Sequence, residues 1–186
     1  MMQSSETFLG AILVLLGALG VLAGFVLLRF PAALRAGLAA FPRSKWPGWI
    51  LTAVCLFWVS WVIRHAALGR FDGLKPFIPV LAVLLFAAMV WLLDELLAPR
   101  ALGGLLLLVA NPILTGVRWT DSAWRFVPVL VAYAWVVAGC ALMLHPWLFR
   151  KLADRFMSAD GRVRLAGWGK LLAGAILLAA GLFHLR

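Results

Sequence analysis

The sequence predicts an all-α membrane protein: a single polytopic domain of about six transmembrane helices arranged as three hairpins, with short interfacial helices. Three observations predict this class. The 186 residues are 65% hydrophobic and only 13% charged, against about 45–50% and about 25% in an ordinary soluble domain. A chain of this size has too little interior to hide so much apolar surface from water. The apolar residues also fall into long, almost uncharged runs, and Trp46, Trp49, Trp61, Trp91, Trp119, Trp124, Trp147 and Trp168 lie close to the ends of those runs, where an amphipathic ring settles at headgroup depth.

Taken in order, Phe8–Leu28 is a run of 21 residues, long enough at about 1.5 Å per residue to cross about 30 Å of hydrocarbon. The start MMQSSE carries no Lys or Arg, unlike the basic head of a signal peptide, so this run is expected to be a retained first span. FPAALRAGLAAF follows as a faintly amphipathic surface helix with Leu34, Leu38 and Phe41 inward. Gly48–Ile63 and Pro76–Leu93 are the second and third spans. In WLLDELLAPRALGG, about 27 Å of helix has already used up the bilayer. Asp94 and Glu95 therefore emerge at its surface, Pro99 stops the helix, and Gly103-Gly104 begins the return through the fourth span, Ala101–Val117. Phe126–His145 is the fifth span. HPWLFRKLADRF then sets Leu148, Leu152 and Phe156 at i, i+4, i+8 and Arg150, Lys151, Asp154 and Arg155 opposite, the pattern of a helix lying in the interface. Leu165–Leu185, with Lys170 near its start, is the sixth span.

The net charge is +10. The basic residues sit in short clusters between oily runs, so the expected partner is anionic lipid and not nucleic acid, with Arg150, Lys151 and Arg155 as headgroup contacts. The segments after spans one, three and five hold Arg29, Arg35, Arg43, Lys45, Arg100, Arg150, Lys151, Arg155, Arg162 and Arg164, with Lys170 just beyond; the other side holds Arg64, Arg70, Lys75, Arg118, Arg125 and Arg186. The positive-inside rule places the richer set in the cytoplasm, which puts both termini outside a bacterial-type inner membrane. Each of those inner segments runs from Arg through Gly into a Leu/Ala-rich span: RSKWPGWILTAVCLF, PRALGGLLLLVANPIL and RVRLAGWGKLLAGAILL. Internal repetition and convergence on one hairpin chemistry both account for this. The last of them, R-x-x-G-x-x-x-L-x-x-G at Arg164–Gly174, resembles small two-span bacterial inner-membrane proteins of uncharacterised function. The resemblance covers that hairpin alone and implies no activity.

Packing signals are concentrated at the two ends of the chain. Gly10, Gly17 and Gly24 recur every seven residues in span one, where Gly20 and Gly24 also make a GxxxG; Gly167, Gly174 and Gly181 recur every seven in span six. Such a repeat draws a flat stripe along a helix, and in lipid small residues let helices approach closely enough for dispersion to drive association. The two stripes are expected to pack against each other or against a partner.

Chemical signals are sparse. Asn111-Pro112 is a polar, helix-breaking pair in the middle of the fourth span; Pro112 frees the Leu108 carbonyl, and interrupted spans mark some transporter sites. With Asp94, Glu95 and Arg100 it forms a candidate substrate-binding set. No acid lies at mid-span, and the motifs of hydrolases, zinc proteases and phosphate-binding loops are missing. His65, His145 and His184 each stand alone at a span end, and Cys55 and Cys140 lie in apolar runs without a CxxC; no metal, haem or other cofactor is expected. The leading functional expectation is a non-catalytic accessory, assembly or scaffold component acting through helix packing, with a membrane partner protein or a second copy of the chain. A small-molecule transporter or facilitator is the alternative, and an enzyme at the cytoplasmic surface the third.

Overall fold

A computed structural model describes residues 2–92 and 96–185. Among them the chain forms α1 (Met2–Arg29), α2 (Pro31–Ala40), α3 (Lys45–His65), α4 (Ile78–Leu92), α5 (Leu97–Val117), α6 (Phe126–Leu144), α7 (Trp147–Met157) and α8 (Asp160–His184), with 3-10 segments at Phe41–Arg43, Gly69–Phe77 and Ala123–Arg125 and no strand. Six of the helices are long and apolar enough to cross a membrane; α2 and α7 are the short ones. The helices overrun the apolar runs at their polar ends: α3 begins at Lys45 and α8 at Asp160. Long basic side chains in such overhangs can lay their stems along the apolar surface and keep the charge in the headgroups. Pro31 occupies the first position of α2, where a missing N–H is harmless.

The spans do not pair as three successive hairpins. α1 packs along α8, α5 packs with α6 and α3, and α4 lies against α3. α1 and α8 run antiparallel, with Gly10 opposite Gly181, Gly17 opposite Gly174 and Gly24 opposite Gly167. The physical reason is contact distance: the glycine stripes let these two helices approach closely along their length. α5 is the hub. Its Ala110, Ile113 and Val117 form a buried cluster with Leu9, Ile12 and Leu13 of α1 and Ala132 of α6. A smaller cluster of Leu27, Met157 and Val163, joined by Leu34, Leu38 and Phe156, ties α2 and α7 to the ends of α1 and α8.

Two local expectations are corrected. Pro99 does not stop a helix. It is the third residue of α5, and the turn into that helix is at Leu96, whose φ is +60°. The first-turn amides of a helix have no intrahelical acceptor, so proline costs nothing there. Nor is the fourth span broken: α5 runs unbroken from Leu97 to Val117 through Pro112. Asn111 and Pro112 both lie on its exposed side.

Candidate functional site

The described residues offer three places to look for function: the α1–α8 contact, the basic end that carries α2 and α7, and the polar set around α5.

The α1–α8 contact is close along its whole length. A Cβ added at Gly17 would stand 2.6 Å from the Leu178 amide nitrogen and 2.8 Å from the Gly174 carbonyl oxygen; one added at Gly24 would stand 2.8 Å from the Gly167 carbonyl. Gly181 is equally tight against Val14, at 2.7 Å from its amide nitrogen, and at Gly20 the nearest atom is the Gly174 Cα at 3.2 Å. Gly10, Gly17, Gly24, Gly167, Gly174 and Gly181 are all buried. Both stripes are therefore occupied by each other, and neither is presented to a partner.

A second close contact had no comparable sequence signal. Gly103 of α5 and Gly139 of α6 face each other so that a Cβ on either would stand 2.7 Å from the other's carbonyl oxygen. Each is a lone glycine in its helix face, so no repeat announces it. Gly48 at the start of α3 fits against the Ala98 amide at 3.1 Å in the same way.

At the basic end, α2 and α7 lie side by side. Phe41 and Phe149 stack at 5.1 Å, and Arg35 pairs with Asp160 at the start of α8. The apolar arc of α7 is divided. Met157 is buried and Phe149, Ala153 and Phe156 are half-buried, whereas Leu152 is 61% exposed. Of the expected stripe, Leu148 and Phe156 are half-buried and Phe156 packs with Met157 in the cluster at the ends of α1 and α8, while Leu152 alone is turned outward; Phe149 and Ala153 complete the inward arc. Arg150, Lys151 and Arg155 are exposed, and Lys151 Nζ sits 5.6 Å over the Trp147 ring. That arrangement of ring and ammonium suits headgroup depth.

The polar set does not assemble. Asp94 and Glu95 lie outside the described residues. Arg100 is half-buried in the first turn of α5, and its Nε is buried without a hydrogen bond among the described residues. Asn111 is eleven residues further on, about 16 Å along the helix, and exposed. Its carbonyl accepts a hydrogen bond from Thr115 Oγ1 at 2.9 Å. Asn111 and Arg100 are thus too far apart to hold one small ligand together.

The histidines have local partners. His65 Nδ1 lies 2.8 Å from the Trp61 carbonyl. His184 Nδ1 lies 2.9 Å from the Ala180 carbonyl and its Nε2 3.0 Å from Ser122 Oγ, and that hydroxyl accepts from the Trp124 amide at 3.3 Å. His184 thereby fastens the end of α8 to the turn before α6.

The side of the bundle formed by α4 differs from the rest. None of the described residues of α4 is buried, and it packs against α3 and the 3-10 segment before it. No protein-family model matches this chain, and no curated protein or solved structure matches it significantly.

Proposed function

We propose that this chain is a multi-pass protein of a bacterial-type inner membrane, with the α2–α7 end in the cytoplasm and both termini outside, and that it is a non-catalytic accessory, assembly or scaffold component working through helix packing. The single observation that carries this reading is the contrast between two sides of the bundle. On one side the first and last spans are locked together by glycines; on the other, α4 is held along one face only. The surface left for a membrane partner is accordingly the far face of α4, around Leu81 and Leu84, not the glycine stripes. The basic end, with Arg150, Lys151 and Arg155 exposed beside Trp147, fits an anionic cytoplasmic leaflet.

The test is photocrosslinking in native membranes from single sites on the full chain. Leu84 on α4 and Ile176 on α8 are matched in exposure, at 62% and 58%. The proposal expects a discrete protein adduct from Leu84 and only lipid from Ile176, with the adduct mass separating a second copy of this chain from a different protein. Lipid alone from both positions would remove the partner reading.

A further inference from the structure

Between α3 and α4 lies a groove of about 340 Å³, lined among others by Ala53, Phe57, Trp61 and Arg64 of α3 and Ala82 and Phe86 of α4. Its volume falls at the lower end of the range of ligand pockets, about 300–1,000 Å³. The α3 residues recur at helical spacing from 53 to 64, one face about 16 Å long. That is the thickness of one leaflet, half of the ~30 Å hydrocarbon core. Apart from Ser60 the groove is apolar along its length, and it is charged at one end only, where Arg64 stands near the close of α3.

The charge at that end is available. The acid in the segment that follows, Asp72, is already held by Lys75 Nζ at 2.7 Å and accepts from the Leu68 amide at 3.1 Å. No described acid pairs with Arg64. Beside it, Trp61 is braced by His65, whose ring lies 4.3 Å from the indole, so the mouth combines a guanidinium with a fixed interfacial aromatic. Small side chains at Ala53 and Ala82 leave the space between the helices, and Phe57 and Phe86 bound it.

We propose that this groove is a binding site for one anionic phospholipid of the leaflet on the Arg64 side, with its phosphate on the Arg64 guanidinium and one acyl chain along the α3–α4 groove. Three matched features point to an amphiphile of this kind: a length of one leaflet, an apolar wall, and a single unpaired cation at headgroup depth. A guanidinium suits phosphate because its donors form a planar fork. The site also accounts for the loose attachment of α4, since a chain in the groove supplies the dispersion contacts that α3 alone does not make. The far face of α4 stays free, so the proposal stands independently of any protein partner.

The test uses full-length protein purified in mild detergent and exposed to equimolar phosphatidylglycerol and phosphatidylethanolamine, with bound lipid read by native mass spectrometry. The wild type is expected to retain one phosphatidylglycerol in preference. Arg64→Ala should reduce that retention at least about fivefold, the factor equivalent to about 1 kcal/mol for one basic side chain near headgroups. Arg118→Ala, on the same side of the bundle beside Trp119, should leave it unchanged. Ala82→Phe fills the groove from α4 and Ala53→Phe fills it from α3; whichever remains monodisperse should lose the lipid. Equal retention by Arg64→Ala and wild type, retention by either filled variant, or an equal loss in Arg118→Ala would each overturn the assignment.

Discussion

Gly174 gives the sharpest test of the helix contact. Replacing it with alanine would put a Cβ 2.6 Å from the Val21 amide nitrogen, 2.8 Å from the Gly17 carbonyl oxygen and 3.0 Å from the Gly20 carbonyl carbon. Favourable contact begins near about 3.5 Å, so the shortfall is roughly 0.5–1 Å. All three atoms belong to backbone, and none can rotate aside. The pair must part, and an added gap of about 0.5–1 Å forfeits a quarter to a half of each facing contact. Overpacking of this kind costs about 1–3 kcal/mol; the better helix preference of alanine offsets at most about 0.5–1 kcal/mol of it. The net expectation is a loss of about 1–2 kcal/mol. Unfolding in mixed micelles, titrated with a denaturing detergent, measures it. The matched control is Gly169→Ala in the same helix, where an added Cβ meets nothing within 4 Å; it should be neutral or slightly stabilising. If Gly174→Ala is as stable as Gly169→Ala, the contact argument is wrong.

Other substitutions probe other contacts. Gly139→Ala should destabilise by about 1–2 kcal/mol net in the same assay, because its Cβ would meet the Gly103 carbonyl at 2.7 Å; no change would mean that α5 and α6 are further apart than described. Thr52 is buried with no partner for its hydroxyl among the described residues, so Thr52→Val, equal in shape, should be neutral or stabilising by up to about 1 kcal/mol, and a clear loss of stability would show that the hydroxyl is bonded after all. Arg35→Ala breaks an ion pair with Asp160 that is largely exposed. The effect should stay below about 1 kcal/mol and shrink further in high salt, and a larger, salt-insensitive loss would give that pair a structural role not argued for it.

Hydropathy made the six apolar helices legible because each is long and almost uncharged, and the doubled seven-residue spacing made the glycine stripes legible because a repeat survives in sequence. Beyond the pairing of the first and last spans, which the two stripes offered as one alternative, which helix meets which was not legible. Spans such as Ile78–Leu92 are apolar on every side, so no polar face marks the outside, and adjacency in sequence suggested hairpins that contact distance did not favour. Gly103 was read only as the start of a return and Gly139 not at all, because single glycines carry no period to mark a contact. Pro99 and Pro112 were over-read as breaks: the first sits where a helix has no amide to satisfy, and the second lies on an open face. In HPWLFRKLADRF the amphipathic pattern was legible, but not how its apolar arc would be shared between protein and lipid. For the functional set, Asp94 and Glu95 lie outside the described residues, while Arg100 and Asn111 were linked in sequence by their polarity and are separated in space by three turns of α5.

The central structural claim is that the first span pairs antiparallel with the last, in the glycine register. It is tested most directly by disulfide crosslinking in membranes, on a chain whose native Cys55 and Cys140 are replaced by alanine. A Cβ at Gly10 would lie 2.9 Å from the Leu185 Cγ, so cysteines introduced at 10 and 185 fall within the short Cβ separation a disulfide needs, about 3.5–4.5 Å. Cysteines at 10 and 178 are displaced by one seven-residue repeat, about 10 Å along the helix. The account predicts rapid crosslinking of the 10–185 pair and none of the 10–178 pair; crosslinking of both, or of neither, would contradict it.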